Sequence, residues 1–267
     1  MRFSGILNRL FALGAAMFAL CAAPAQAQVQ VQVNALAQYV VNIAGINVAY
    51  VNVRLEVEGS AYQLDIAADV AGLAQMVAQG AGSANSGGVL TNTGLASTRF
   101  YLETRTAEDR FSVQAQYAGG NTTSFAVNPP PVDAVARVPV QASHRNGVND
   151  PVAPFILRGA ALSPELCNRS AAVFTGIERF DLAFRFAEMQ EATSLRTGYQ
   201  GPVVLCQMTY RPVSGHFTDS EVTRYLANES RMLVWFAPLG QTGFFIPYRM
   251  LISTSFGDIS MVLTHLE

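Results

Sequence analysis

Lysine is missing altogether, so every one of the 17 basic side chains is arginine. Arginine in quantity would serve bidentate recognition of carboxylates or phosphates, but genome base composition accounts for the bias more simply. Charge of either sign is scarce: 13% of the chain is Asp, Glu or Arg, about half the ~25% of ordinary soluble domains. Gln, Asn, Ser and Thr take over the solubilising role in runs such as 30–34 and 121–124. An exposed apolar surface for a lipid or a partner fits this scarcity, and an Ala-rich exported composition fits it equally. No window concentrates positive charge, which excludes the electrostatic footprint of a nucleic-acid binder.

Long hydrophobic runs are also missing. The longest, residues 10–20, follows Arg2 and Arg9 and leads to Pro24 and Ala25-Gln26-Ala27. It is too short for the ~20 residues of a spanning helix and has the layout of a secretory signal. Residues 1–27 are therefore expected to be a signal peptide cleaved after Ala27, leaving 28–267 as a single β-rich periplasmic domain with no transmembrane anchor. Lipidation at Cys21 would need a small preceding residue, and Leu20 is large. Cleavage removes two arginines and none of the 19 acidic residues, which moves the formal net charge from −2 to −4.

Of three cysteines, Cys21 leaves with the signal. Cys167 and Cys206 remain and should pair in an oxidising compartment. Cys206 is in phase with Val204, Met208 and Tyr210, so its side chain should face the core. The separation argues for a structural bridge, since redox-active pairs show the close Cys-x-x-Cys spacing.

Alternation dominates what is present. Val51, Val53, Leu55 and Val57 alternate with polar residues, and after a Gly59-Ser60 turn so do Tyr62, Leu64 and Ile66. Phe111, Val113, Ala115 and Tyr117 repeat the pattern, as do Phe180, Leu182, Phe184 and Phe186. One-sided burial over many strands predicts a mainly β fold: a curved antiparallel sheet forming an open or half barrel, with a few short helices. Asp69 could cap a helix presenting Val70, Leu73, Met76 and Val77. Thr218-Asp219-Ser220-Glu221 reads as a capping box. Asp150-Pro151 and Ser163-Pro164 each place a capping side chain before an N1 proline, predicting two short helices that plug or flank the sheet. Prolines 129–131 and Pro139 mark 128–150 as an extended crossing segment.

Chemistry is hard to find. His144, His216 and His265 are isolated, with no zinc spacing. His216 and Asp219 could pair as a base and its orienting acid, the basis of an alternative reading as a periplasmic hydrolase. The segment 82–88, Gly82-Ser83-Ala84-Asn85-Ser86-Gly87-Gly88, lacks the Gly-x-Ser-x-Gly spacing of a nucleophile elbow and reads as a flexible loop. Neither a phosphate loop nor a dinucleotide fingerprint is present, and no cofactor is expected. Trp235, Phe236, Phe244, Phe245, Tyr248 and Phe256 would line a pocket or fill an ordinary core.

Four stretches carry a resemblance: Gly198-Tyr199-Gln200-Gly201-Pro202 leading through Cys206 to Tyr210-Arg211-Pro212 and Gly215-His216, Val173-Phe174-Thr175-Gly176, Val234-Trp235-Phe236-Ala237-Pro238, and Ile246-Pro247-Tyr248-Arg249. Together they resemble the Domain of Unknown Function 3108 family of exported bacterial proteins, closely over 150–267 and loosely before. The resemblance implies a β-rich periplasmic fold similar to the half-barrels of lipoprotein carriers, and supports the Cys167–Cys206 bridge. It brings no activity and no catalytic residues. Thr175 departs from it, standing where an acidic residue is expected. The leading expectation is a non-enzymatic envelope protein binding a lipid, lipoprotein or protein partner on a concave β surface, with Trp235, Tyr248 and Arg249 beside His216 and Asp219 as candidate site residues. A structural or assembly factor without a small ligand is the further alternative.

Overall fold

A computed structural model of the protein describes residues 32–71, 80–131 and 136–267. The segment expected to be a signal peptide lies outside them. Seven strands come first: β1 (Gln32–Ile43), β2 (Ile46–Glu58), β3 (Ala61–Val70), β4 (Gly80–Leu90), β5 (Leu95–Thr106), β6 (Arg110–Ala118) and β7 (Asn121–Asn128). After a crossing segment follow β8 (Leu157–Arg158), β9 (Arg169–Phe174), β10 (Arg179–Ala192), β11 (Gly201–Ser214), helix α1 (Glu221–Asn228), β12 (Met232–Pro238), β13 (Phe244–Thr254) and β14 (Gly257–Leu266).

All belong to one 14-stranded sheet, ordered β7-β6-β5-β4-β3-β2-β1-β14-β13-β12-β11-β10-β9 with β8 against β13. The named strands pair antiparallel throughout. Two meanders thus run outward from a central seam where β1 meets β14, Ala37 opposite Leu266 and Tyr39 opposite Leu263. The predicted hairpin is present, with Val57 facing Tyr62, Leu55 facing Leu64 and Val53 facing Ile66. Gly59 closes its turn at a φ of +60°, which a side chain rarely tolerates.

The expected open or half barrel is instead nearly closed. Unpaired edge strands leave backbone donors and acceptors unmet, and here the crossing segment brings the two edges together. Asn149 bridges in parallel to Val173 of β9, and Val148 donates its N–H to the Gly120 carbonyl at 2.6 Å. Phe125 of β7 packs edge-on against Phe174 of β9 at 5.3 Å, and the Tyr117 hydroxyl donates to the Phe174 carbonyl at 3.1 Å.

Three local expectations are corrected. Asp69 and Val70, expected at a helix start, continue β3 opposite Tyr50 and Ala49 of β2, where the antiparallel ladder takes up their backbone groups. Leu73, Met76 and Val77 lie outside the described residues. The run 82–88 is no loop but the middle of β4, hydrogen-bonded to β3 on one side and β5 on the other. Its glycines answer to neighbours, since a Cβ on Gly88 would collide with the Ala96 carbonyl and sit 2.9 Å from the Tyr62 ring. At α1 the cap is Ser220, whose side chain accepts from the Thr223 N–H, two residues beyond the Thr218 of the expected box. The two predicted short helices are single 3-10 turns, Ala153–Phe155 and Pro164–Cys167.

Candidate functional site

The alternation that builds the sheet also empties part of it. On β1 the inward positions are Val33, Ala35, Ala37 and Tyr39, and two successive alanines leave space that larger side chains would fill. The result is a cavity of about 220 Å³ walled by β1, β2, β3, β13 and β14, with Ala35, Ala37, Val53, Ile66, Met250 and Met261 among its lining. Every lining residue is apolar apart from the hydroxyl of Tyr39. The segment that enters with Pro151, Val152, Phe155 and Ile156 covers one side of it. This is the plugging role expected of the turn after Asp150.

That plug is held by a buried polar cluster. Asp150 is fully buried. Its Oδ1 accepts from the Val152 and Ala153 N–H groups, both at 2.8 Å. Its Oδ2 accepts from the hydroxyls of Ser86 on β4 and Ser97 on β5, the latter at 2.7 Å. Tyr62 on β3 shares the Ser86 hydroxyl at 2.9 Å, and Asn149 Oδ1 accepts from the Ser97 N–H at 2.8 Å and stands equally close to the Ser97 hydroxyl oxygen. Burial raises the Asp150 pKa, with these hydrogen bonds opposing it. Burial, and then the nearby Asp150 charge, push the Tyr62 phenol up to about 12. Every partner is satisfied and no solvent reaches the carboxylate, so the cluster ties three strands to the plug rather than presenting a nucleophile.

The candidate residues divide. Trp235 and Arg249 pair across β12 and β13, with the guanidinium 5.2 Å from the indole ring centre and the indole N–H donating to Gln190 Oε1 at 2.6 Å. They lie one position from Val234, which is opposite Cys206, and so occupy the other face of the sheet. Tyr248 is buried, donating to Thr197 Oγ1 at 3.2 Å and packing edge-on to Tyr199. His216 and Asp219 are not brought together. His216 is half-buried with a solvent-inaccessible Nδ1 that has no hydrogen-bond partner among the described residues, while Asp219 is exposed in the turn before α1. His144 Nδ1 accepts from the Gln141 N–H. The one histidine–carboxylate ion pair among the described residues joins His265 and Glu267 at the surface. Thr175, where an acid was expected, closes the β9–β10 turn by accepting from the Glu178 N–H at 2.9 Å. Among the described residues no three His, Cys, Asp or Glu side chains gather as a metal site.

Cys167 and Cys206 are fully buried and stand at disulfide distance, with Cα atoms 5.3 Å apart. The pair joins the Pro164–Cys167 turn to β11, and Val204, Cys206 and Met208 share one buried face as their phase predicts. Sequence reasoning saw Asp150 only as a cap. Its partners Ser86 and Ser97 lie 64 and 53 residues away; the density of small polar residues within 82–88 pointed to Ser86, and no local signal pointed to Ser97.

Among the described residues no helix is long and apolar enough to cross a membrane. No curated protein matches the chain. Among solved structures, the beta-barrel-like protein of domain of unknown function DUF1849 from Brucella abortus is similar at 14% identity and a TM-score of 0.49, over 88% of this chain and 97% of that one. The family described as "Protein of unknown function (DUF3108)" matches residues 38–264, well beyond the C-terminal part that carried the resemblance, and the chain belongs to that family.

Proposed function

We propose that the protein is an exported, non-catalytic binding protein of the bacterial envelope that holds an acyl chain, from a lipid or a lipoprotein, inside its barrel. The observation that supports this reading is the apolar cavity of about 220 Å³. It exceeds the ~150 Å³ that suffices to hold benzene in a dry protein interior. It falls short of the ~300 Å³ at which pockets take whole drug-sized ligands. A length of hydrocarbon fits those bounds, while a complete lipid would need the plug to shift. On this reading the barrel plays the part of a lipoprotein-carrier half-barrel with its mouth covered, and residues 1–27 are the signal that exports it.

The protein purified from an envelope fraction, extracted with organic solvent and analysed by lipid mass spectrometry, should release acyl lipid in stoichiometric amount. A fluorescent fatty acid should bind the delipidated protein saturably. Absence of both would overturn the reading. The N-terminal sequence of the same preparation should begin at Gln28.

A further inference from the structure

A second pocket, of about 440 Å³, shares no lining residue with the apolar cavity. One wall is the turn between β4 and β5, and the other is the stretch from Arg158 on β8 to the start of β9. Two arginines line it. Arg158 Nη1 donates to the Thr91 carbonyl at 3.1 Å, and Arg169 Nη1 donates to the Thr93 carbonyl at 2.9 Å. Both guanidinium groups are thus fastened to one short turn, two residues apart, with most of their donors uncommitted.

Neither arginine forms an ion pair with a carboxylate among the described residues. Arg169 Nε is buried and has no hydrogen-bond partner among them, which leaves a desolvated donor uncompensated. Burial also lowers the Arg169 pKa, a cost that a bound anion would relieve. Gly94 lies beside the guanidinium, where a Cβ would meet Nη1 and Nη2 of Arg169 at an ordinary contact distance of 3.5 Å; the glycine itself is required by the Ile156 carbonyl, 2.8 Å from that Cβ. Ser163, Asn168 and Ser170 add neutral polar groups to the lining. Glu165 is its one carboxylate, held ionised below its ordinary range by hydrogen bonding to the Ser163 side chain and then to its own backbone N–H. The buried Cys167 next to Asn168 and Arg169 fixes this wall to β11.

We propose that Arg158 and Arg169 form a binding site for a phosphate-class oxyanion, presented by a lipid headgroup or as a free phosphate. Paired guanidinium forks on a fixed backbone are the arrangement that bidentate phosphate contacts require. The site goes beyond the acyl-chain reading and stands or falls separately from it.

The test follows the arginine Nε–Hε resonances of the uniformly ¹⁵N-labelled protein during titration. Inorganic phosphate is one arm. Vesicles of phosphatidylcholine with and without phosphatidylglycerol are the other. Saturable shifts with phosphate, confined to Arg158 and Arg169, are expected, and Arg169→Gln or Arg158→Gln should weaken phosphate binding about tenfold or more with the melting temperature little changed. A response of the same two resonances to phosphatidylglycerol vesicles assigns the site to headgroups, and a response to phosphate alone assigns it to free phosphate. Shifts that grow linearly with phosphate, or spread evenly over the surface arginines, would overturn the proposal. Those wild-type shifts decide the matter even if a variant fails to fold.

Discussion

Around β9 to β12 the interior is filled by large side chains: Val173, Val204, Val234 and Phe236 are each 0% exposed, with Phe184 and Phe245 nearly so, and the buried cysteine pair lies among them. Facing β1 to β3, the same alternation of inward and outward residues places Ala35 and Ala37 where bulk is needed and leaves a cavity. The periodicity is common to both halves; the volume at the inward positions is not. The dense half behaves as the frame, stapled through β11, and the spacious half carries the cavity under a plug that Asp150 fastens.

Replacing Phe236 with Ala in the dense half should cost about 3–5 kcal/mol, the range for large aromatic truncations in packed cores, as measured by urea unfolding. A loss below about 1.5 kcal/mol would mean that this half is as loose as the other. Reducing the Cys167–Cys206 bridge should lower stability by up to about 4 kcal/mol for a closed loop of this length. The readout is the urea midpoint with and without reductant, with free thiols counted at each point. An unchanged midpoint with thiols already free would remove the staple from the comparison.

How far the contrast could be read from sequence follows from the range of each interaction. The hairpin from Val51 to Ile66 and the phase of Cys206 were legible because alternation and a Gly59 turn are local. The β4 strand was not, since Gly82, Gly87 and Gly88 carry turn propensity and their strand role appears only beside Tyr62, Ala96 and Arg99. Closure was equally hidden, because it depends on residues 147–150 reaching both sheet edges. The cavity required knowing that Ala37 stands between Val53 and Leu266 and Ala35 opposite Leu55, pairings that only the register of β1 with its neighbours supplies.

Away from the packed β9–β12 region, one carboxylate on β5 and one in the plug sharpen the picture with pH effects of opposite sign. Glu103 on β5, its side chain 6% exposed beneath Arg105 and Arg110, is held at about 2, below its ordinary 4.5, by the Tyr101 hydroxyl and then by those arginines. Its folded pKa is depressed, so its contribution is full above about 4.5 and is lost as pH falls towards about 2. Asp150 is raised above its ordinary 3.8 by burial, so its contribution is present below that value and fades as pH rises through the folded pKa. Unfolding free energies measured against pH at constant salt should lose part of their acid-side fall in Glu103→Gln. Asp150→Asn should remove a decline on the other side. Identical profiles for the two variants would mean that the plug carboxylate is not desolvated.

The smallest stability change is expected where the two halves differ most directly. Ala37→Val adds two methyl-sized groups on the cavity side of β1, where the nearest space is empty. Burial of that added surface, together with the strand preference of a β-branched residue, should raise stability by about 1 kcal/mol, whereas the same enlargement in a filled core costs ~1–3 kcal/mol. The variant should also bind a fluorescent fatty acid more weakly than the parent, because the added groups occupy volume that the chain would use. A loss of stability with unchanged binding would show that the wall at Ala37 is already packed, and with it the distinction between the two halves would fall.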